Sequence, residues 1–98
     1  MSKTIKYRAR GRQDLLEIWE YIAKDSMIHA QAWTQRINAI LTSLAAFPDL
    51  GRLRPEFDVD IRSYPVGNYL ILYKEIPNGV LVVRVFHGKR HLQNAWNT

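Results

Sequence analysis

A chain of 98 residues with 47% apolar content is long enough for one small hydrophobic core and too apolar for an intrinsically disordered segment. It has no cysteine, which excludes disulfides, thiolate nucleophiles and cysteine-ligated zinc, and no apolar run near the ~20 residues that span a bilayer. Its net charge of +5 is unevenly spread: Lys3, Lys6, Arg8, Arg10 and Arg12 crowd the start without an acid, only Arg84, Lys89 and Arg90 follow Glu75, and all nine acids lie between Asp14 and Glu75.

The opening MSKTIKYRARGR has no apolar stretch behind its charges and so does not read as a secretory signal; a reducing cytoplasm is the expected location of a cysteine-free chain. TIKYRA predicts a short strand with Ile5 and Tyr7 on one face and Lys6 and Arg8 on the other. Over about 12–24, Leu15, Ile18, Trp19 and Ile22 recur at helical spacing, which predicts an amphipathic helix. A second helix is expected over about 27–47, with Ala30, Trp33, Ile37, Ile40, Leu41 and Leu44 on one face, Ser26 as N-cap and Pro48 as stop. Trp19 and Trp33 fall on these stripes and are expected in the core. So few residues separate the helices that only a tight antiparallel hairpin fits.

PDLGRLRPEF (48–57) reads as a loop in which Gly51 and Pro55 serve the backbone while Arg52 and Arg54 are candidate contacts. VDIRSY (59–64) alternates as a strand, Pro65-Val66-Gly67-Asn68 as a turn, and NYLILYKEI (68–76) is apolar on both faces, as a central strand would be. Asn78-Gly79 predicts a type I′ hairpin, followed by VLVVRVFH (80–87) as the returning strand. The tail, 91–98, fits a frayed helix or an added strand equally well. The order β-α-α-β-β-β predicts an α+β, two-layer fold: a helical hairpin laid across one face of an antiparallel meander, in a single domain spanning 1–98. The first strand must then pair at an exposed edge of the meander. Placed beside the last strand, it would bring the two cationic ends together, a field suited to nucleic acid or to an acidic protein segment.

Four stretches, DLLEIWEYIA (14–23), FPDLGRLRPEF (47–57), IRSYPVGNYLILY (61–73) and RVFHGKR (84–90), resemble the ParE toxins of the RelE/ParE toxin–antitoxin superfamily in order and spacing. The resemblance implies the βααβββ fold, DNA gyrase as target, and a cognate antitoxin. That antitoxin would be ParD-like, with a ribbon-helix-helix domain and an acidic or amphipathic C-terminal segment that wraps the toxin. Operator DNA would be bound only through the antitoxin complex. No cofactor, metal or membrane is implied.

The peptide RVFHGKRHL (84–92) places five ionisable groups directly behind an apolar run. Arg62, Arg84, His87, Lys89, Arg90 and His91 are the candidate target contacts, as cations facing gyrase or its DNA. The alternative is a ribosome-dependent mRNA endonuclease of RelE type, in which His87 and His91 would move protons and the arginines would clamp phosphate. Three features speak against it. RelE-type nucleases resemble this chain at Gly67-Asn68-Tyr69 but continue with an arginine where Leu70 stands, and they carry a tyrosine where Trp96, whose indole has no exchangeable hydroxyl, is found. Arg84 and His87 also have opposite parity, so an unbroken strand directs them to opposite faces unless a bulge near Gly88 intervenes. His87 and His91 at i, i+4 lack an obvious third metal ligand, and His29 reads as an ordinary residue early in the second helix.

Overall fold

In the computed structural model, which describes residues 3–88, 94, 96 and 97, the chain runs through β1 (Thr4–Tyr7), α1 (Ala9–Asp25), α2 (Met27–Ala46), a 3-10 turn (Pro48–Leu50), β2 (Arg52–Leu53), β3 (Arg62–Val66), β4 (Tyr69–Ile76) and β5 (Gly79–His87). The expected helical hairpin on a sheet is present, with one more short strand, β2, inside the segment read as a loop. The sheet order is β1-β5-β4-β3-β2. Strands β2 to β5 form the antiparallel meander, and β1 joins it beside β5 in parallel, from Thr4 opposite Gly79 to Tyr7 opposite Val82. No helix among the described residues is long and apolar enough to cross a membrane.

Local chemistry explains the element ends. Ser26 closes α1 with its N–H on the Ile22 carbonyl and opens α2 with its Oγ accepting the His29 N–H at 3.1 Å, so one residue makes the hairpin. Helix α1 starts at Ala9, before the expected position, and runs through Gly11. A Cβ at residue 11 would stand 2.9 Å from the Val82 carbonyl oxygen and 3.0 Å from that of Val83. The poor helix former is therefore a packing residue that lets α1 lie directly on the backbone of β5.

Two strand boundaries differ from expectation. Strand β3 covers Arg62–Val66 rather than 59–64, and the turn is only Gly67-Asn68, with φ +59° at Gly67. The backbone of 54–61 is consumed by its own turns: the Phe57 N–H bonds the Arg54 carbonyl at 3.0 Å, and the Arg54 N–H bonds the Ile61 carbonyl at 2.8 Å on the outer side of the sheet. By alternation Pro65 also faces outward, past the end of β2, so its missing N–H costs no ladder bond. The second hairpin turns on Pro77-Asn78, with Ile76 opposite Gly79 and positive φ at Asn78 but not at Gly79. Proline's fixed negative φ followed by a left-handed residue is type II geometry, which displaces the predicted type I′ turn by one residue.

The sheet carries an apolar cluster on each face. On the helix side Ile37, Leu41, Leu44, Val66, Ile71, Tyr73, Val80, Val82 and Val85 form the main core, with Ile5, Tyr7, Leu15, Ile18 and Trp33 packed against it. On the other side Ile61, Leu72, Val83 and Phe86 form a smaller cluster beneath Phe57, Leu70, Leu81 and Trp96. Trp33 meets Tyr69 edge-on at 5.7 Å, and both Trp19 and Trp33 are half-buried rather than central.

Tyr73 ties the connection after α2 to the sheet. Fully buried, its hydroxyl donates to the Pro48 carbonyl at 2.7 Å and accepts the Gly51 N–H at 2.8 Å. Tyr73→Phe is expected to cost about 1–3 kcal/mol, because both backbone partners lose a buried hydrogen bond; the urea unfolding midpoint measures it. Burial also raises the Tyr73 hydroxyl above tyrosine's usual value near 10. The folded state therefore keeps a proton that the unfolded chain sheds, and this contribution to stability, present below pH 10, drains away as the pH climbs further. Tyr73→Phe should flatten that alkaline decline.

Candidate functional site

Strand β1 is only four residues long and leaves β5 at Val82, where the Arg8 N–H makes the last bond, 2.9 Å, to the Val82 carbonyl. From there β5 carries a bulge. Leu72 faces Arg84 while the next residue, Tyr73, faces Val82, so Val83 is the extra residue. The bulge reverses the parity of the rest of the strand: Val85 joins Val80 and Val82 in the helix-side core, and Arg84 moves to the face of Leu72 and Phe86.

Where β1 no longer covers the edge of β5, Asp14 of α1 takes its place. One carboxylate oxygen accepts both the Arg84 Nε–H at 2.8 Å and the Val85 backbone N–H at 2.9 Å, and the other accepts Arg84 Nη2–H at 3.2 Å. Asp14 and Arg84 are each only 8% exposed, and the guanidinium lies 4.5 Å over the Phe86 ring. A fork-on-carboxylate pair at this depth is fixed in place. Arg84, one of the predicted contacts, is thus bonded to Asp14 within the fold. The sequence carries a signal for it, since Asp14 is a lone acid on the apolar stripe of α1 and Arg84 a lone cation within VLVVRVF.

The other candidates do not converge. Arg62, half-buried on the helix side of β3, donates to the Gly51 carbonyl at 2.8 Å and lies 3.5 Å from Asp49, bracing the 3-10 turn. It lies two strands from Arg84 and on the opposite face of the sheet. His87, opposite Tyr69 and edge-on to its ring at 5.3 Å, also faces the helix side, in a shallow depression with Glu17, Ile18 and Tyr21. Arg84 and His87 thus sit on opposite faces as expected, with the bulge at Val83 instead of Gly88. Arg52 is exposed on β2. Arg54 donates to Glu56 at 2.8 Å and to Ser63 Oγ at 3.1 Å and lies 5.2 Å over Phe57. Lys89, Arg90 and His91 lie outside the described residues.

The structure brings the basic N-terminal segment beside Arg84 of β5. On the face away from the helices, Arg8, Ala9 and Arg10 meet Val83, Arg84 and Trp96 around a concavity of about 420 Å³. Lys6 is exposed on the same face, opposite Leu81. Arg8 and Arg10 are the residues that sequence reasoning counted as charge but did not select as a site. Among the described residues no group of three His, Asp or Glu side chains is placed to hold a metal ion.

A family model described as "ParE toxin of type II toxin-antitoxin system, parDE" matches residues 5–92. Toxin ParE3 of Caulobacter vibrioides is 32% identical over 63 residues, which cover 64% of this chain and 63% of that protein. Among solved structures, a chain of the chromosomal ParDE toxin–antitoxin system from P. aeruginosa superposes with a TM-score of 0.69 over 87% of this chain and 95% of its own, at 16% identity, a likeness of fold.

Proposed function

The chain belongs to the ParE toxin family of type II toxin–antitoxin systems, and from that membership we propose that it is a non-enzymatic toxin that poisons DNA gyrase in the cytoplasm. It would stabilise the covalent gyrase–DNA cleavage complex, block supercoiling and stall replication. The observation that supports the non-enzymatic part is the dispersal of the candidate ionisable groups among the described residues. Cutting RNA through its 2′-hydroxyl needs a base, an acid and cations around one phosphate. Here Arg84 is held by Asp14 in the interior, His87 faces the other side of the sheet, and Arg62 braces a turn. What the described residues present on the surface is charge and shape, which suit gripping a macromolecule.

Neutralisation by a cognate, ParD-like antitoxin follows from the same membership. The helical hairpin exposes Leu16 and Tyr21 on α1 and Met27 and Ile28 at the start of α2, apolar anchors for an amphipathic segment that folds as it binds. Acidic residues in that segment would complement the basic face, and operator DNA would be reached through the ribbon-helix-helix domain of the complex.

Purified protein incubated with gyrase and supercoiled plasmid should accumulate cleaved DNA covalently attached to gyrase and lose supercoiling activity in proportion to dose. Translating ribosomes with mRNA should show no new cleavage products. Cut transcripts with untouched supercoiling would reverse this reading in favour of the RelE-type endonuclease.

A further inference from the structure

Among the described residues, the concavity is lined by Arg8, Ala9, Arg10, Val83, Arg84 and Trp96, none of them an acid. Asp14, the carboxylate beside Arg84, is already committed to that guanidinium and to the Val85 N–H. The start of α1 adds to the field. Its first turn contains no acid and is flanked and occupied by Arg8, Arg10 and Arg12, where the helix dipole favours negative charge. Cations at that end cost helix stability, and such breaches of local preference concentrate where a ligand compensates them.

The lining also includes an aromatic residue, Trp96, whose ring contacts continue beyond the concavity. Trp96 lies 5.3 Å from Phe57, and the Arg54 guanidinium lies 5.2 Å from the Phe57 ring centre. Cations interleaved with flat rings along an open sheet face are the arrangement by which proteins take up unpaired bases, the phosphate in an arginine fork and the base on a ring. The volume of about 420 Å³ falls within the range of small-ligand sites, whereas a carboxylate side chain alone would leave most of it empty. Bases stacked in a duplex cannot enter a recess of this kind.

We infer that the concavity binds an unpaired nucleotide, its base against Trp96 and Val83 and its phosphate between Arg8 and Arg10. Arg84, paired with Asp14, forms part of the wall and adds no net charge to it. The biological setting rests on the reading of a gyrase–DNA target, where strand cleavage offers unpaired nucleotides, but the binding itself does not require gyrase.

The test is a titration of the purified full-length toxin, without gyrase, into a short fluorescein-labelled oligothymidylate at low ionic strength, followed by anisotropy. Saturable binding, about tenfold tighter than to a duplex of the same length, is the expected result. Trp96→Ala should weaken it about tenfold while Trp96→Phe retains most of it, since a ring still stacks. Arg8→Ala with Arg10→Ala should lower the slope of log affinity against log salt by roughly 1. Both arginines are exposed, so these variants should fold, which circular dichroism verifies. Absence of saturable binding would overturn the inference. So would equal affinity for duplex with no loss in Trp96→Ala, which marks a diffuse field, or displacement by polyglutamate at matched charge, which marks a carboxylate site. Gyrase poisoning without oligonucleotide binding would remove this inference and leave the proposed function intact. Oligonucleotide binding without gyrase poisoning would do the reverse.

Discussion

Asp14→Ala is expected to cost about 3–5 kcal/mol of folding stability, the largest loss from any single side chain of α1. The substitution leaves the Arg84 guanidinium at 8% exposure without its carboxylate and deprives the Val85 N–H of its acceptor. A small domain typically has about 5–15 kcal/mol in total, so the variant should be largely unfolded at moderate urea. Urea titration followed by tryptophan fluorescence measures this. The pair itself need not be a net stabiliser, because two charges must first be stripped of water. The double variant Asp14→Leu with Arg84→Met should therefore recover much of the loss, and an equal deficit in the single and double variants would mean that the Val85 N–H, rather than the ion pair, carries the effect. Loss of toxicity in Arg84→Ala then reports a damaged fold. This distinguishes Arg84 from the exposed Arg8, whose removal should spare stability.

Gly79→Ala should cost about 3 kcal/mol and detach the N-terminal strand. A Cβ on residue 79 would fall on the carbonyl group of Thr4, a backbone atom that cannot rotate away, and 2.9 Å from the Thr4 nitrogen. Because Thr4 pairs with Gly79 at the start of the parallel ladder and its N–H bonds the Asn78 carbonyl at 2.7 Å, relief requires β1 to move off β5. The consequence extends to the basic face, since β1 is what carries Arg8 and Arg10 to the rim of the concavity. Amide hydrogen exchange should show protection lost across residues 5–7 while β4 stays protected, together with a drop in the unfolding midpoint. A change below about 0.5 kcal/mol, the scale of a neutral surface substitution, would show that the strands can part at no cost and that the close approach is not required.

Much of the fold is legible along the chain because periodicity reports burial directly. The i, i+3, i+4 stripes of α1 and α2, the Ser26 cap and the Pro48 stop each depend on neighbours within one or two turns, and each appears where the pattern places it. The two-sided apolarity of β4 announces a strand covered on both faces, and it lies between β3 and β5 in the sheet. Boundaries were less legible where local signals compete with distant atoms. Gly11 looks like a poor helix residue until the Val82 and Val83 carbonyls are seen beneath it, and Asn78-Gly79 looks like a type I′ turn until Pro77 claims the first turn position. The added strand β2 depends on its pairing with Arg62 and Ser63 of β3, about ten positions further along the chain.

Residue identity and spacing were enough for the basic ends, the helical hairpin, the meander and the family resemblance, because each is written in side chains that are close neighbours along the chain. Which cations face outward was settled by folding in three dimensions. Arg84 and Asp14 are 70 positions apart, and nothing short of the parallel docking of β1, the bulge at Val83 and the crossing of α1 over β5 brings them within 2.8 Å. A charge is available to a partner only if no opposite charge in the fold has reached it first, and that depends on distances between segments that the chain order does not contain.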